Sequence, residues 1–228
     1  MIIHPLMQVL IFSFILSGIM SARMPGMGGR YSYAIYLMAG TLAWSLFAEI
    51  IQRCLTIFID NANLLKKMIF PRICLPLIVT GSAVFANFIL FLTITAVFAL
   101  LGHFPGISLL ALPLVFLINI ALALGVGLSM GVLNVFMRDI GQAVPVMLQL
   151  GYWATPIVYM PGILPEPYRR WLAFNPLYPI VEAYHDILLF GRMPVFSSLV
   201  PIFLFALVAL VLALYLFRRS SAEMVDVL

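Results

Sequence analysis

The chain has 228 residues, of which 64% are hydrophobic and only 9% charged, with 12 basic and 8 acidic side chains. Soluble domains carry about 25% charged residues. Charge this sparse cannot coat a domain of this size, and the mean hydropathy of +1.17 agrees. A soluble enzyme, a nucleic-acid-binding domain and a disordered chain are therefore excluded. What remains is an integral membrane protein, organised as one transmembrane domain over residues 1–228.

The charges cluster, and the stretches without Asp, Glu, Lys or Arg are 1–22, 31–48, 73–137, 140–165 and 193–217. A helix crossing the hydrocarbon core needs about 20 apolar residues. The long third stretch is broken by the turn signal Gly102-His103-Phe104-Pro105-Gly106 and so holds two spans. The reading is all-α, with six spans at about 5–22, 33–54, 75–101, 108–136, 143–160 and 197–217. A β-barrel would alternate polar and apolar residues over strands of ~10 residues, whereas these runs are apolar on every face.

The first run has no basic residue ahead of it and reads as a retained span rather than a cleaved signal. Span two carries Glu49 and Arg53 at i, i+4, in the order that lets them neutralise each other. In the loop 60–72, Asn61 or Asn63 caps a short helix and Pro71 ends it. Leu64, Leu65, Met68 and Ile69 fall on one side of that helix and Lys66 and Lys67 on the other. Such a helix lies at the interface or docks to a partner; a basic anchor on anionic lipid is an equal reading.

Span four contains Gly125, Gly127 and Gly131, spaced for close helix contact in lipid rather than for binding a dinucleotide. Cys54 and Cys74 match neither a metal spacing nor a disulfide framework. Arg138 and Asp139 form a tight charged loop before span five. That span carries Gln142, Gln149, Tyr152, Trp153, Thr155 and Tyr159. Its aromatic and amide walls suit the apolar faces and hydroxyls of sugars. An interfacial aromatic belt accounts for Tyr159, Tyr168 and Trp171, and less well for Tyr152 and Trp153.

Segment 161–192 is punctuated by Pro161, Pro165, Pro167, Pro176 and Pro179. Two short helices fit it, at about 165–174 and 179–190. Twelve residues give ~18 Å, too little to cross the membrane. Ile180, Tyr184, Ile187 and Leu188 make an apolar stripe, and Glu182, His185 and Asp186 are expected away from it, in solvent. The pair reads as re-entrant or interfacial helices forming a lid over a path; a plain surface loop is the alternative.

Catalytic and energy-coupling motifs are absent. No phosphate-binding loop is present, the single Glu182-x-x-His185 is half of what a dinuclear carboxylate site needs, and no span carries a proton-relay series. With both termini inside, Arg53, Lys66, Lys67, Arg72, Arg138, Arg218 and Arg219 lie on the cytoplasmic side. Arg23, Arg30, Arg169, Arg170 and Arg192 then lie outside, a modest positive-inside bias.

Taken together, Asn61 to Arg72, Met137-Arg138-Asp139-Ile140, Trp153 to Tyr159 and Asn175-Pro176-Leu177 carry a resemblance across nearly the whole chain. The chain resembles the permease subunit of type-2 ATP-binding-cassette exporters of lipid-linked polysaccharide, such as O-antigen or teichoic acid. The resemblance implies a homodimer of permeases joined by two copies of a separate ATPase, which binds the ATP and magnesium. This chain would carry no cofactor, bind no nucleic acid, and sit among lipid in the inner membrane. Asn63, Lys66, Lys67, Phe70, Pro71, Arg72, Arg138 and Asp139 would couple it to the ATPase. Phe12, Gln149, Tyr152, Trp153 and Tyr159 would line the channel, and Tyr168, Trp171, Asn175, Pro176 and Tyr184 would form an outer gate.

Members of that family begin with a basic amphipathic helix, whereas this sequence opens at span one with His4-Pro5. The true start is therefore expected upstream, or the element is lost. Two alternatives stay open: a drug or small-lipid exporter on the same scaffold, and a membrane-embedded enzyme acting on lipid-linked sugars through Glu182, His185 and Asp186.

Overall fold

A computed structural model describes residues 32–66, 73–100, 102, 104, 106–172, 174–221, 223 and 224. The expected span 5–22, with Phe12, and the residues Lys67, Phe70, Pro71 and Arg72 lie outside the described residues. Among the described residues the regular structure is entirely helical. Helix α1 runs Ser32–Asp60, α2 Ala62–Lys66, α3 Cys74–Leu100, α4 Leu112–Phe136 and α5 Asp139–Ala154. Helix α6 follows at Glu166–Leu172, α7 at Tyr178–Leu188 and α8 at Phe196–Ser220, and a 3-10 turn, Gly106–Ala111, leads into α4.

Among the described residues, four helical stretches are long and apolar enough to cross a membrane: Ser32–Asp60, Cys74–Ala99, Gly106–Phe136 and Phe196–Ser220. Helix α5 starts and stops earlier than the expected 143–160. Its 16 residues extend about 24 Å, short of the ~30 Å hydrocarbon core. The stop is local: Thr155 precedes Pro156, and a residue before proline is pushed out of helical geometry. Pro145 lies inside α5, where it removes one helical hydrogen bond.

The chain divides into two compact units. The first comprises the described residues of 1–45, 86–116 and 152–199. Here Asn87 of α3 donates its side-chain amide to the Leu42 carbonyl at 3.2 Å and to the Ser45 hydroxyl at 3.0 Å, both on α1. The Ser108 hydroxyl of the 3-10 turn donates to the Ile187 carbonyl of α7 at 3.1 Å.

The second unit comprises the described residues of 46–85, 117–151 and 200–228. Its core gathers Ile57, Phe58, Leu75, Leu128, Val132, Val135, Ala213 and Phe217. Glycines let helices approach within it: a Cβ on Gly125 would lie 2.7 Å from the Leu210 nitrogen of α8, and one on Gly131 would overlap the Cys54 carbonyl of α1. The expectation of glycine-mediated packing holds. Asn134 of α4 donates to the Leu55 carbonyl of α1 at 2.8 Å. Buried amide bonds of this kind hold helices together in lipid by about 0.6–2 kcal/mol each. Glu49 and Arg53 pair as the spacing implied, and Arg53 also donates to Ser82 of α3 at 2.7 Å.

Candidate functional site

Two places in the fold gather the residues singled out by the sequence. The first lies in the second unit. The Asn61 side chain donates to the Ile57 carbonyl at 2.8 Å and closes the end of α1. Its own carbonyl accepts from Leu65 N at 3.1 Å and opens α2. Leu65 is buried in the core cluster, while Asn63 and Lys66 are exposed. The amphipathic helix is thus docked by Leu65 to its own chain and turns its polar residues outward. Arg138 and Asp139 are exposed at the start of α5. Among the described residues they make no ion pair with each other.

The second place is in the first unit, around the segment that follows α5. That segment, 155–160, is largely buried, and its carbonyls need partners. Two tyrosines of α1 supply them. The Tyr33 hydroxyl donates to the Val158 carbonyl at 2.9 Å. The Tyr36 hydroxyl lies 2.8 Å from both the Pro156 and the Tyr159 carbonyl oxygens. Asn175 ties the next turn down: its amide donates to the Thr155 hydroxyl at 2.8 Å, and its side-chain oxygen accepts from Leu177 N at 3.0 Å. The chain then enters α7, whose first turn accommodates Pro179 because that turn needs no N–H.

Helix α7 corrects one expectation. Glu182 is exposed, but His185 and Asp186 are buried, with only 5% and 3% of their surface accessible. The stripe rule assumes one apolar face; here α7 is enclosed on several sides, and both His185 and Asp186 have polar partners. The His185 ring stacks on Tyr36 at 3.8 Å, and its Nε2 lies 3.0 Å from the Tyr36 carbonyl oxygen. Nε2 therefore carries the proton and donates it. Burial pushes the imidazole pKa down to about 3, although the bond to the Tyr36 carbonyl opposes that. Gly40 makes this approach possible, since a Cβ there would stand 3.0 Å from His185 Nε2.

Asp186 accepts from Arg192 Nε at 2.8 Å and pairs with Arg192 Nη2 at 2.6 Å. Gly191, with φ of 62°, turns the chain back to allow it. The Arg192 guanidinium also lies 4.8 Å from the centre of the Phe190 ring. Glu182 accepts from the Tyr178 hydroxyl at 3.2 Å. Although part of Glu182 is exposed, its carboxyl pKa is raised, chiefly by desolvation of the carboxyl against a cavity wall, with Asp186 adding repulsion and Tyr178, Arg192 and Arg169 opposing. The Tyr178 phenol is pushed up to about 12 by burial and by Glu182. These groups face a cavity of about 300 Å³, lined also by Tyr36 and by residues 160–163.

The remaining sequence candidates fall as follows. Tyr152 is buried against Trp44, ring centres 5.7 Å apart, while Gln149 and Trp153 are exposed on α5 and Tyr159 is half-buried. Tyr168 and Trp171 of α6 are exposed, Pro176 is half-buried and Tyr184 is fully enclosed. The catalytic alternative loses its geometry, because His185 is locked to Tyr36 and Asp186 to Arg192. Sequence reasoning missed Tyr33, Tyr36, Tyr178 and Arg192. The available signal was a phenol at two positions of the otherwise apolar stretch 33–40, since a buried tyrosine hydroxyl needs an acceptor.

The chain matches the family model described as ABC-2 type transporter over residues 1–189. It is 25% identical over 230 residues to an O-antigen export system permease protein RfbA of Klebsiella pneumoniae, covering 99% of this chain and 85% of the relative. It is 24% identical over 227 residues to an RfbA of Myxococcus xanthus, covering 98% and 85%. It is 27% identical over 227 residues to the polysialic acid transport protein KpsM of Escherichia coli, again covering 98% and 85%.

Proposed function

The chain belongs to the ABC-2 type transporter family, and from that premise we propose that it is the membrane permease of an exporter moving a lipid-linked polysaccharide, driven by a separate ATPase subunit. It is a multi-pass membrane transporter subunit, not an enzyme. The observation that carries the substrate is the agreement of relatives named for O-antigen export and polysialic acid transport, each matched over most of its length.

The finer reading is as follows. The described spans are completed by α5 together with the segment 155–160 that follows it and by the run 5–22, giving six crossings within one permease domain with both termini in the cytoplasm of an inner-membrane protein. Helices α6 and α7 cover the outer end as interfacial or re-entrant gate helices that include Tyr168, Trp171, Asn175, Pro176 and Tyr184. Two permeases pair and enclose the path. The broad exposed face of α5, with Gln149 and Trp153, supports this, because it mixes amide and aromatic groups that a lipid-facing helix does not need. Two ATPase subunits hold the ATP and magnesium and press on the surface formed by Asn63, Lys66, Lys67, Phe70, Pro71, Arg72, Arg138 and Asp139. The exposure of Asn63, Lys66, Arg138 and Asp139 supports that contact.

The test is a Lys66→Ala, Phe70→Ala double variant expressed with its ATPase. Surface polysaccharide is expected to fall to the level of a strain lacking the permease, while the ATPase keeps its basal hydrolysis. Wild-type export by this variant removes the coupling assignment.

A further inference from the structure

The cavity beside α7 has a chemistry that neither packing nor coupling requires. Its volume, about 300 Å³, sits at the lower edge of the ~300–1,000 Å³ range of ligand pockets. That is room for a single ring rather than a length of polymer. An alkyl chain is a poor occupant, because the walls carry two carboxylates and a guanidinium. Glu182 spends one acceptor position on Tyr178, of about four that a carboxylate offers. Arg192 uses two of its five N–H donors on Asp186, and its side chain is 63% exposed. An acceptor and a donor thus line one cavity together with the aromatic side chains of Tyr36, Tyr178 and Phe190.

This arrangement matches a pyranose. One ring hydroxyl donates to Glu182, a neighbouring hydroxyl accepts from Arg192, and the C–H face rests on an aromatic ring. The charge balance narrows the class further. Glu182 and Asp186 are set against Arg192 and against Arg169, which acts on Glu182 from α6, so the site has no surplus positive charge to hold a sugar carrying a carboxylate or a phosphate. We infer that this cavity is a binding subsite for one uncharged sugar residue of the exported polymer. The inference rests on the permease reading and deepens it.

The test uses the full chain with its ATPase in lipid nanodiscs. Saturation-transfer NMR is recorded with methyl α-mannoside, N-acetylglucosamine and N-acetylneuraminic acid. The neutral probes are expected to give signals and the acidic one none. Glu182→Ala should weaken the neutral-probe affinity about tenfold, as the loss of one hydrogen bond to a charged group entails. Tyr178→Phe, which keeps the ring, should weaken it less, and Glu166→Gln on α6 should leave it unchanged. A folded Glu182→Ala protein with undiminished signals, equal signals from the acidic probe, or no signal from either neutral probe overturns the subsite. Export in cells separates the two failures. If deleting the gene leaves surface polysaccharide intact, the permease reading fails. If deletion abolishes it while Glu182→Ala and Tyr178→Phe export like wild type and neither neutral probe binds, the subsite alone fails.

Discussion

His185 exchanges solvation for a single partner. Its imidazole stays neutral in the folded protein down to about pH 3, whereas an unfolded histidine takes up a proton near pH 6.5. Between those values the unfolded chain binds more protons, so acid favours unfolding. Wild type should therefore lose about 2 kcal/mol through this residue on going from about pH 7.5 to pH 5. Glu182, whose carboxyl is shifted upward, acts in the opposite sense and is common to both proteins compared. Thermal unfolding of nanodisc-embedded wild type and His185→Gln at the two pH values checks this. The drop in Tm should be smaller in the variant, whatever its absolute stability. Little of this was legible beforehand. Helical spacing puts His185 on the polar side of α7, and its acceptor, the Tyr36 carbonyl, lies 149 residues away in sequence. Local patterns register which residues share a face; they are blind to what a distant helix brings to that face.

At the scale of elements the sequence was more informative. Apolar length alone located α3, α4 and α8 to within about four residues and the start of α1 to within one, while α1 runs six residues past its expected end, because a membrane span must be long and uninterrupted. Helix α5 was misplaced, since its apolar run continues past Thr155 although the backbone cannot. The glycines of α4 were legible too, and they separate two kinds of position. Gly131→Ala drives a Cβ into the Cys54 carbonyl of α1, whereas a Cβ on Gly162 meets nothing within 4 Å. Overpacking of this kind costs about 1–3 kcal/mol. Gly131→Ala should lower Tm by several degrees and Gly162→Ala should leave it within about a degree of wild type. Equal melting temperatures would mean that α1 and α4 do not meet at Gly131.

For the whole molecule, the testable quantity is orientation. Glu166 on α6 and Arg138 before α5 are both exposed, and the proposed topology puts them on opposite sides of the membrane. Cysteine placed at each in turn, with Cys54 and Cys74 replaced by serine, gives a direct readout with a membrane-impermeant maleimide. Position 166 should label in intact spheroplasts and position 138 only after lysis. The reverse pattern inverts the topology. Composition alone gave the membrane class, and the distribution of charge marked the loops. The buried polar cluster around Tyr36 was invisible to both, because it is built from isolated residues on three separate stretches of chain.

The tyrosines that satisfy the segment after α5 also set a schedule. Tyr33 and Tyr36 leave the ribosome early, yet their acceptors on Val158 and Pro156 lie 125 and 120 residues later. Until most of the chain has been synthesised, both phenols must be served by water, lipid headgroups or an insertion factor. The first half of α1 therefore has no finished environment during most of its own biosynthesis. A ribosome that stalls before residue 156 leaves an intermediate in which neither hydroxyl has its native acceptor.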